Sequence, residues 1–377
     1  MVSQEKFPRL HHQVCFGKSG GKIIWQPRIG AWFTDKIFDG SGLPSPYSGM
    51  DLYELYRALG VSARLYEFNS CFHRVEHPQV YFKEEALNKQ DTRITVHTPV
   101  GKQLAVQRRF KESWYYHNVK FEVETPEELK VATWREENAT WEWDQQQYDA
   151  WIGKAGDLGA PTMYMPRMNV QCLYLEKMGV DKGIMAIYEW PEEIGQFFRA
   201  LEENQERLIN VINQSPIDII NFGENIHSGT LSVDLFLKYH LPECQRRCEK
   251  LHTAGKFICS HWDGDTKPLL RYAKETGLDG IEAITPVPQG DVTLEEIKTA
   301  LGDEMVLLDG IPAIYFNDTF SVETLVECTK RLIGMFAPKL VLGISDEIAS
   351  TGDIERIRIV DDIVQRYNSQ FDRGDLS

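Results

Sequence analysis

No run in this sequence approaches the roughly 20 apolar residues that a membrane-spanning helix needs. The first 13 residues lack the apolar stretch of a secretory signal. Together these point to a cytoplasmic protein with no membrane partner. Basic charge is also scarce: 41 Lys and Arg face 56 Asp and Glu, a net charge of −15. Binding nucleic acid needs clustered cations to neutralise phosphates, so a nucleic-acid partner is not expected. Cysteine is present but unpatterned. Cys15, Cys71, Cys172, Cys244, Cys248, Cys259 and Cys328 are odd in number and scattered, which reads as free thiols in a reducing compartment. Cys244 and Cys248 can share a helix face, but no second pair completes a zinc knuckle. No G-x-G-x-x-G follows an early apolar run, which argues against a dinucleotide fold.

What is present is rhythm. From residue 217 onward, short apolar runs alternate with amphipathic stretches. Residues 217–222 read as a buried strand, 232–254 as a helix with Ser232 as N-cap and Gly255 past its end, and 256–260 as the next strand. Helices at 267–276, 293–301, 321–335 and 353–367 then alternate with strands at 280–284, 305–309 and 339–344. Short connections between alternating elements imply a parallel sheet. Lys22–Trp25, Ala63–Tyr66 and Thr162–Met165 supply earlier strands and bring the count to eight. A (β/α)8 barrel takes about 250 residues, so 377 residues leave room for an N-terminal elaboration. The expectation is a single α/β barrel domain over 1–377, with 88–155 inserted in it. Within that insert, Thr92–Val96 and Gln103–Arg108 alternate around Thr98-Pro99-Val100-Gly101, a hairpin signal. Trp114, Tyr115, Tyr116, Trp134, Trp141, Trp143 and Trp151 read as packing, or as a wall for a flat ligand.

In a parallel barrel the residues just after each strand point into the catalytic mouth. Here those positions hold Gln26, Arg28 and Trp32, then Glu67 and Asn69, then Arg167 and Asn169. Glu224, Asn225 and His227 follow, then His261, Asp263 and Asp265, then Glu282 and Thr285, Asp309, and Ser345, Asp346 and Glu347. Crowded carboxylates raise one another's pKa unless a cation compensates. Two roles suit the cluster. Glu224, His261, Asp263, Glu282 and Asp346 could hold a metal such as Zn2+, or the carboxylates could act as acid and base. Asp265 and Asp353 read more simply as helix caps.

Several of these segments resemble uroporphyrinogen-decarboxylase-superfamily barrels. They are Gly223-Glu224-Asn225 with Leu235–Pro242, His261-Trp262-Asp263-Gly264-Asp265-Thr266, Thr276–Gly280 and Leu308–Ala313. Trp25-Gln26-Pro27-Arg28 is a looser match. The decarboxylase branch has an arginine-rich first loop, whereas this chain keeps only Arg28 in Arg28–Trp32. The other branch contains zinc-dependent methyltransferases that work with corrinoid proteins. Its thiol-methylating members resemble this chain in a His-x-Cys-Gly-Asp-Thr segment, where Asp263 replaces the cysteine. Ile344-Ser345-Asp346-Glu347 likewise stands where a further cysteine ligand is found.

The resemblance therefore implies a demethylating member. Such an enzyme removes a methyl group from a small methoxylated donor and gives it to cobalt(I) of a corrinoid protein. On that reading Glu224, His261, Asp263 and Glu282 surround the zinc, and Asp346 and Glu347 are ligand or general acid. Trp25, Arg28 and His227 orient the donor. A homodimer is compatible with the sequence. The alternatives are a cofactor-free decarboxylase and a non-enzymatic ligand-binding barrel.

Overall fold

The computed structural model describes residues 7–111 and 114–372; the first six residues of the segment read above as lacking a signal lie outside them. Seven strands form one wholly parallel sheet. In chain order they are β1 (Ile24–Trp25), β2 (Thr162–Met165), β3 (Ile219–Ile226), β4 (Phe257–Trp262), β5 (Gly280–Glu282), β6 (Val306–Pro312) and β7 (Leu340–Ser345). Across the sheet they run β1-β7-β6-β5-β4-β3-β2. From β3 onward each strand lies where the apolar runs place it. The connecting helices include Pro191–Gln214, Leu241–His252, Leu294–Leu301, Val322–Phe336 and Arg356–Asn368. Ser232 does cap its helix, accepting from the Leu235 N–H. Asp291, from the following loop, takes the cap role expected of Asp265, accepting from the N–H groups of Thr266 and Lys267.

The expected closed eight-stranded barrel needs correction. Residues 61–66 do not form a regular strand. They still run through the gap between β1 and β2: the Ser62 N–H donates to Trp25 O (3.3 Å) and the Ala63 N–H to Leu158 O (2.8 Å). The sheet is nevertheless strongly curled. In a flat sheet β2 and β5, separated by two strands in the sheet order, would stand about 14 Å apart. Instead the Tyr164 hydroxyl on β2 hydrogen-bonds Glu282 on β5.

Strand parity decides which side chains enter the curled interior. Ile24, Ile219, Phe257, Cys259, Val306, Leu308 and Val341 form an apolar floor there, plugged by Val14 and Cys15 of the helix Phe7–Cys15. The next inward positions toward the strand ends are polar: Gln26, Asn221, His261 and Glu282. Asp309 follows the inward Leu308, so regular alternation would turn it outward. Its backbone adopts φ +77° and brings its carboxylate to Arg64 instead. Gly343 on β7 leaves the space for that carboxylate, because a Cβ there would stand 2.1 Å from Asp309 Oδ1.

A second, antiparallel sheet is inserted between β1 and β2, with strands Tyr81–Ala86, Asp91–Thr98, Gly101–Arg109 and Tyr116–Lys120. Its central hairpin turns at Thr98–Gly101. Phe72–Val75 pairs separately with Thr140–Trp143. All seven cysteines are free. Among the described residues, no helix is long and apolar enough to cross a membrane.

Gly343→Ala should cost about 1–3 kcal/mol through overpacking against Asp309, measured by urea unfolding. Wild-type stability in this variant would show that Asp309 does not depend on that space.

Candidate functional site

Arg64 is the centre of the mouth. It is fully buried, and its guanidinium donates in three directions: Nε to Gln26 Oε1 (3.2 Å), Nη2 to Asp309 Oδ1 (2.7 Å), and Nη1 to both Asp309 Oδ2 (3.1 Å) and Glu282. Glu282 also accepts from the Tyr164 hydroxyl and, at 2.7 Å, from His261 Nδ1. Burial alone would raise the Glu282 pKa. Arg64, then His261 and Arg28, outweigh it and hold the carboxyl well below the usual range. Asp309 moves the other way: burial raises it, with the Glu282 charge adding to the effect, despite Arg64. One guanidinium thus keeps Glu282 ionised. An ionised carboxylate can only accept, so His261 carries its proton on Nδ1 and turns Nε2 to the other side, 4.0 Å from Asp263 Oδ2.

Arg28 lies above this layer. Nη1 is 3.5 Å from His261 Nδ1 and 3.9 Å from Asp309, and Nε is 3.5 Å from Glu347 Oε1. Glu347 is steadied by the Ala31 N–H at 3.2 Å. These contacts are long, so the guanidinium retains capacity for a ligand. Arg28, Tyr66, Tyr164, Arg167, Glu224 and His261 are among the residues lining a cavity of about 390 Å3 at the carboxyl ends of the strands. Buried polar atoms without a protein partner meet there, including the Tyr66 hydroxyl, Arg167 Nε and Glu224 Oε2.

The residues singled out from sequence do not all converge. Arg28, Glu224, His261 and Glu282 gather at or beneath the cavity, and Glu347 supports Arg28. Trp25 does not join them. It follows the inward Ile24, so parity turns it outward, where its indole N–H donates to Ile357 O of an outer helix (3.2 Å). His227 closes on its own loop, with Nε2 3.1 Å from Thr230 Oγ1, and does not line the cavity. Asp346 is exposed, with φ +70°.

Glu224 has even parity with the outward Phe222. It accepts from the Met168 N–H (2.8 Å) rather than facing Glu282. Burial pushes its carboxyl up to about 7, against the opposing pull of Arg247. Sequence reading missed Arg64, Tyr66 and Tyr164, because they lie within apolar runs rather than after them. The available signal was Arg64 itself, a lone cation in the buried run Val61–Leu65, which requires a counter-ion.

The expected zinc ligand set does not assemble. Glu282 is engaged on both oxygens, Glu224 lines the cavity but accepts from the Met168 N–H on one oxygen rather than joining Glu282, and His261 Nε2 and Asp263 Oδ2 stand 4.0 Å apart. Three protein ligands are usual for catalytic zinc. Among the described residues, no three His, Cys, Asp or Glu side chains are grouped to hold a metal ion. As arranged, the donor atoms do not fit zinc.

A parallel α/β sheet with an apolar floor and a charged, cavity-bearing mouth defines a protein whose chemistry lies at its strand ends. Residues 173–365 match the family model for uroporphyrinogen decarboxylase (URO-D), and the chain belongs to that family. No curated protein matches it. Among solved structures, a methyltransferase from Methanosarcina mazei shares the fold, with TM-score 0.58 and 12% identity over 96% of this chain and 99% of that one.

Arg64→Met leaves two buried carboxylates uncompensated and should cost about 3–5 kcal/mol, read by chemical unfolding; an unchanged midpoint would contradict the clamp. The raised Glu224 pKa has a definite sign. Its contribution is fully present below the unfolded value near 4.5 and is lost as pH rises through about 7. Relative to Glu224→Gln, wild type should lose of order 3 kcal/mol of stability between pH 4.5 and 8. Parallel pH–stability curves for the two proteins would refute this.

Proposed function

We propose that this protein is a methyltransferase that removes the methyl group from a small methoxylated, carboxylate-bearing donor and delivers it to a partner corrinoid protein. The observation that carries this reading is the 2.7 Å Glu282–His261 hydrogen bond at the cavity wall beneath Arg28. An ether oxygen leaves poorly as an oxyanion. A positioned acid that protonates it as the O–CH3 bond breaks is worth 10²- to 10⁴-fold. By accepting from His261 Nδ1–H, Glu282 fixes the ring and aims its Nε2 side as that acid. Arg28 and Arg167, both on the wall and neither tightly paired, supply the charge for the donor's carboxylate.

The acceptor supplies the nucleophile as cobalt(I). Methyl leaves oxygen for that nucleophile, the bonding pair stays on oxygen, and the oxygen takes the His261 proton, leaving the demethylated alcohol or phenol. His261 then recovers a proton from solvent. Asp263, 4.0 Å from Nε2, is placed to steady the imidazolium. The methyltransferase fold neighbour is in keeping with this reading.

A second reading follows from the family match: decarboxylation of a porphyrinogen, with His261 protonating the carbon that loses carbon dioxide. The two are separable by incubating the protein with methoxylated acids and reduced corrinoid protein, and in parallel with a porphyrinogen. Methyl transfer should fall at least 100-fold in His261→Ala and in Glu282→Gln. Carbon dioxide release from a porphyrinogen, without methyl transfer to the corrinoid, would replace the proposal with the second reading.

A further inference from the structure

We infer that Arg64 is a built-in cation that occupies the place a metal ion would take, so that this mouth is closed to zinc. Glu282, His261 and Asp309 lie on adjacent strands β5, β4 and β6, with Glu282 beside His261 in register. Two carboxylates and an imidazole are the residue types that hold divalent cations, but with Arg64 between the carboxylates they are not grouped around a metal position. Here Arg64 Nη1 reaches Glu282 and Asp309 at once, and Nη2 takes the other Asp309 oxygen at 2.7 Å. Gln26 Oε1 accepts from Nε at 3.2 Å and, through its amide, is itself tied to the Ala63 carbonyl (3.0 Å) of the Arg64 segment. The guanidinium is therefore held by backbone-anchored groups and is fully buried.

A metal entering among these carboxylates would have to displace a buried cation each of whose guanidinium nitrogens already donates. It would also meet Arg28, 3.9 Å from Asp309. Two positive charges confined in a low-dielectric mouth repel a third. The guanidinium also does part of a metal's work: it keeps Glu282 ionised and thereby fixes the ring orientation of His261. Arg64 is a positioning residue. It acts on the reaction through Glu282 and His261, while the cavity is lined by Arg28 and His261. This inference concerns the cation and stands whether the reaction is methyl transfer or decarboxylation.

The test is metal content and zinc-dependent melting, both independent of activity. Wild type produced with excess zinc and then desalted should hold less than about one tenth of a zinc per chain, and its melting temperature should be the same with zinc and with a chelator. Arg64→Ala should melt lower, take up close to one zinc per chain, and melt higher when zinc is added. Arg64→Gln keeps most of the side-chain bulk and serves where the alanine variant does not fold. Stoichiometric zinc in wild type that is lost in His261→Ala would overturn the inference. So would a cooperatively melting Arg64 variant that takes up no more zinc than wild type. Failure of methyl transfer with zinc-free wild type would count against the proposed function and leave this inference standing.

Discussion

The buried guanidinium of Arg64 between Glu282 and Asp309 is the constraint on which the rest of the mouth depends. A charge taken out of water is tolerated only when its partners are placed in advance. Four features provide that placement. Curling of the sheet brings the segment at 61–66 opposite β5 and β6. Left-handed backbone at Asp309 turns its carboxylate inward, and Gly343 leaves the room for it. Gln26, at the end of β1, fills the remaining direction.

Polarity follows from the same geometry. The interior has an apolar floor at the strand starts and polar groups at the strand ends. Water is excluded from below by the helix Phe7–Cys15, so the ion pairs above sit in a medium where electrostatic interactions are strong. Glu282 is held well below the usual carboxylate range there, whereas burial pushes Glu224, which lines the same cavity, up to about 7. Two carboxylates about two strands apart thus have pKa values shifted in opposite directions because one touches Arg64, whereas burial outweighs the Met168 N–H and the more distant Arg247 and Arg167 at the other. The ionised one orients His261, and that orientation turns its Nε2 toward Asp263 at the cavity wall beneath Arg28.

A charged site without a metal ligand set also reframes the family resemblance. The His261-x-Asp263 segment keeps the spacing of a zinc motif, but its histidine is turned by Glu282 and its aspartate stands 4.0 Å away. Motif spacing is a property of one strand end. Whether the atoms can converge on a metal depends on what the neighbouring strands bring.

The sequence by itself determined the strand–helix alternation from residue 217 onward, the hairpin at Thr98–Gly101, the family, and the collection of His261, Glu282, Glu224 and Arg28 near one mouth. These are readable because hydrophobic periodicity and strand-end position are local properties of the chain. The tertiary structure decided which way each side chain points. It sent Trp25 to an outer helix by parity, closed His227 on its own loop, and left 61–66 irregular instead of a regular eighth strand. It also disclosed Arg64, which local reading hides inside an apolar run. The physical reason is that a buried charge is explained only by its counter-ions, and those of Arg64 lie more than 200 residues away, on strands it meets only when the sheet curls.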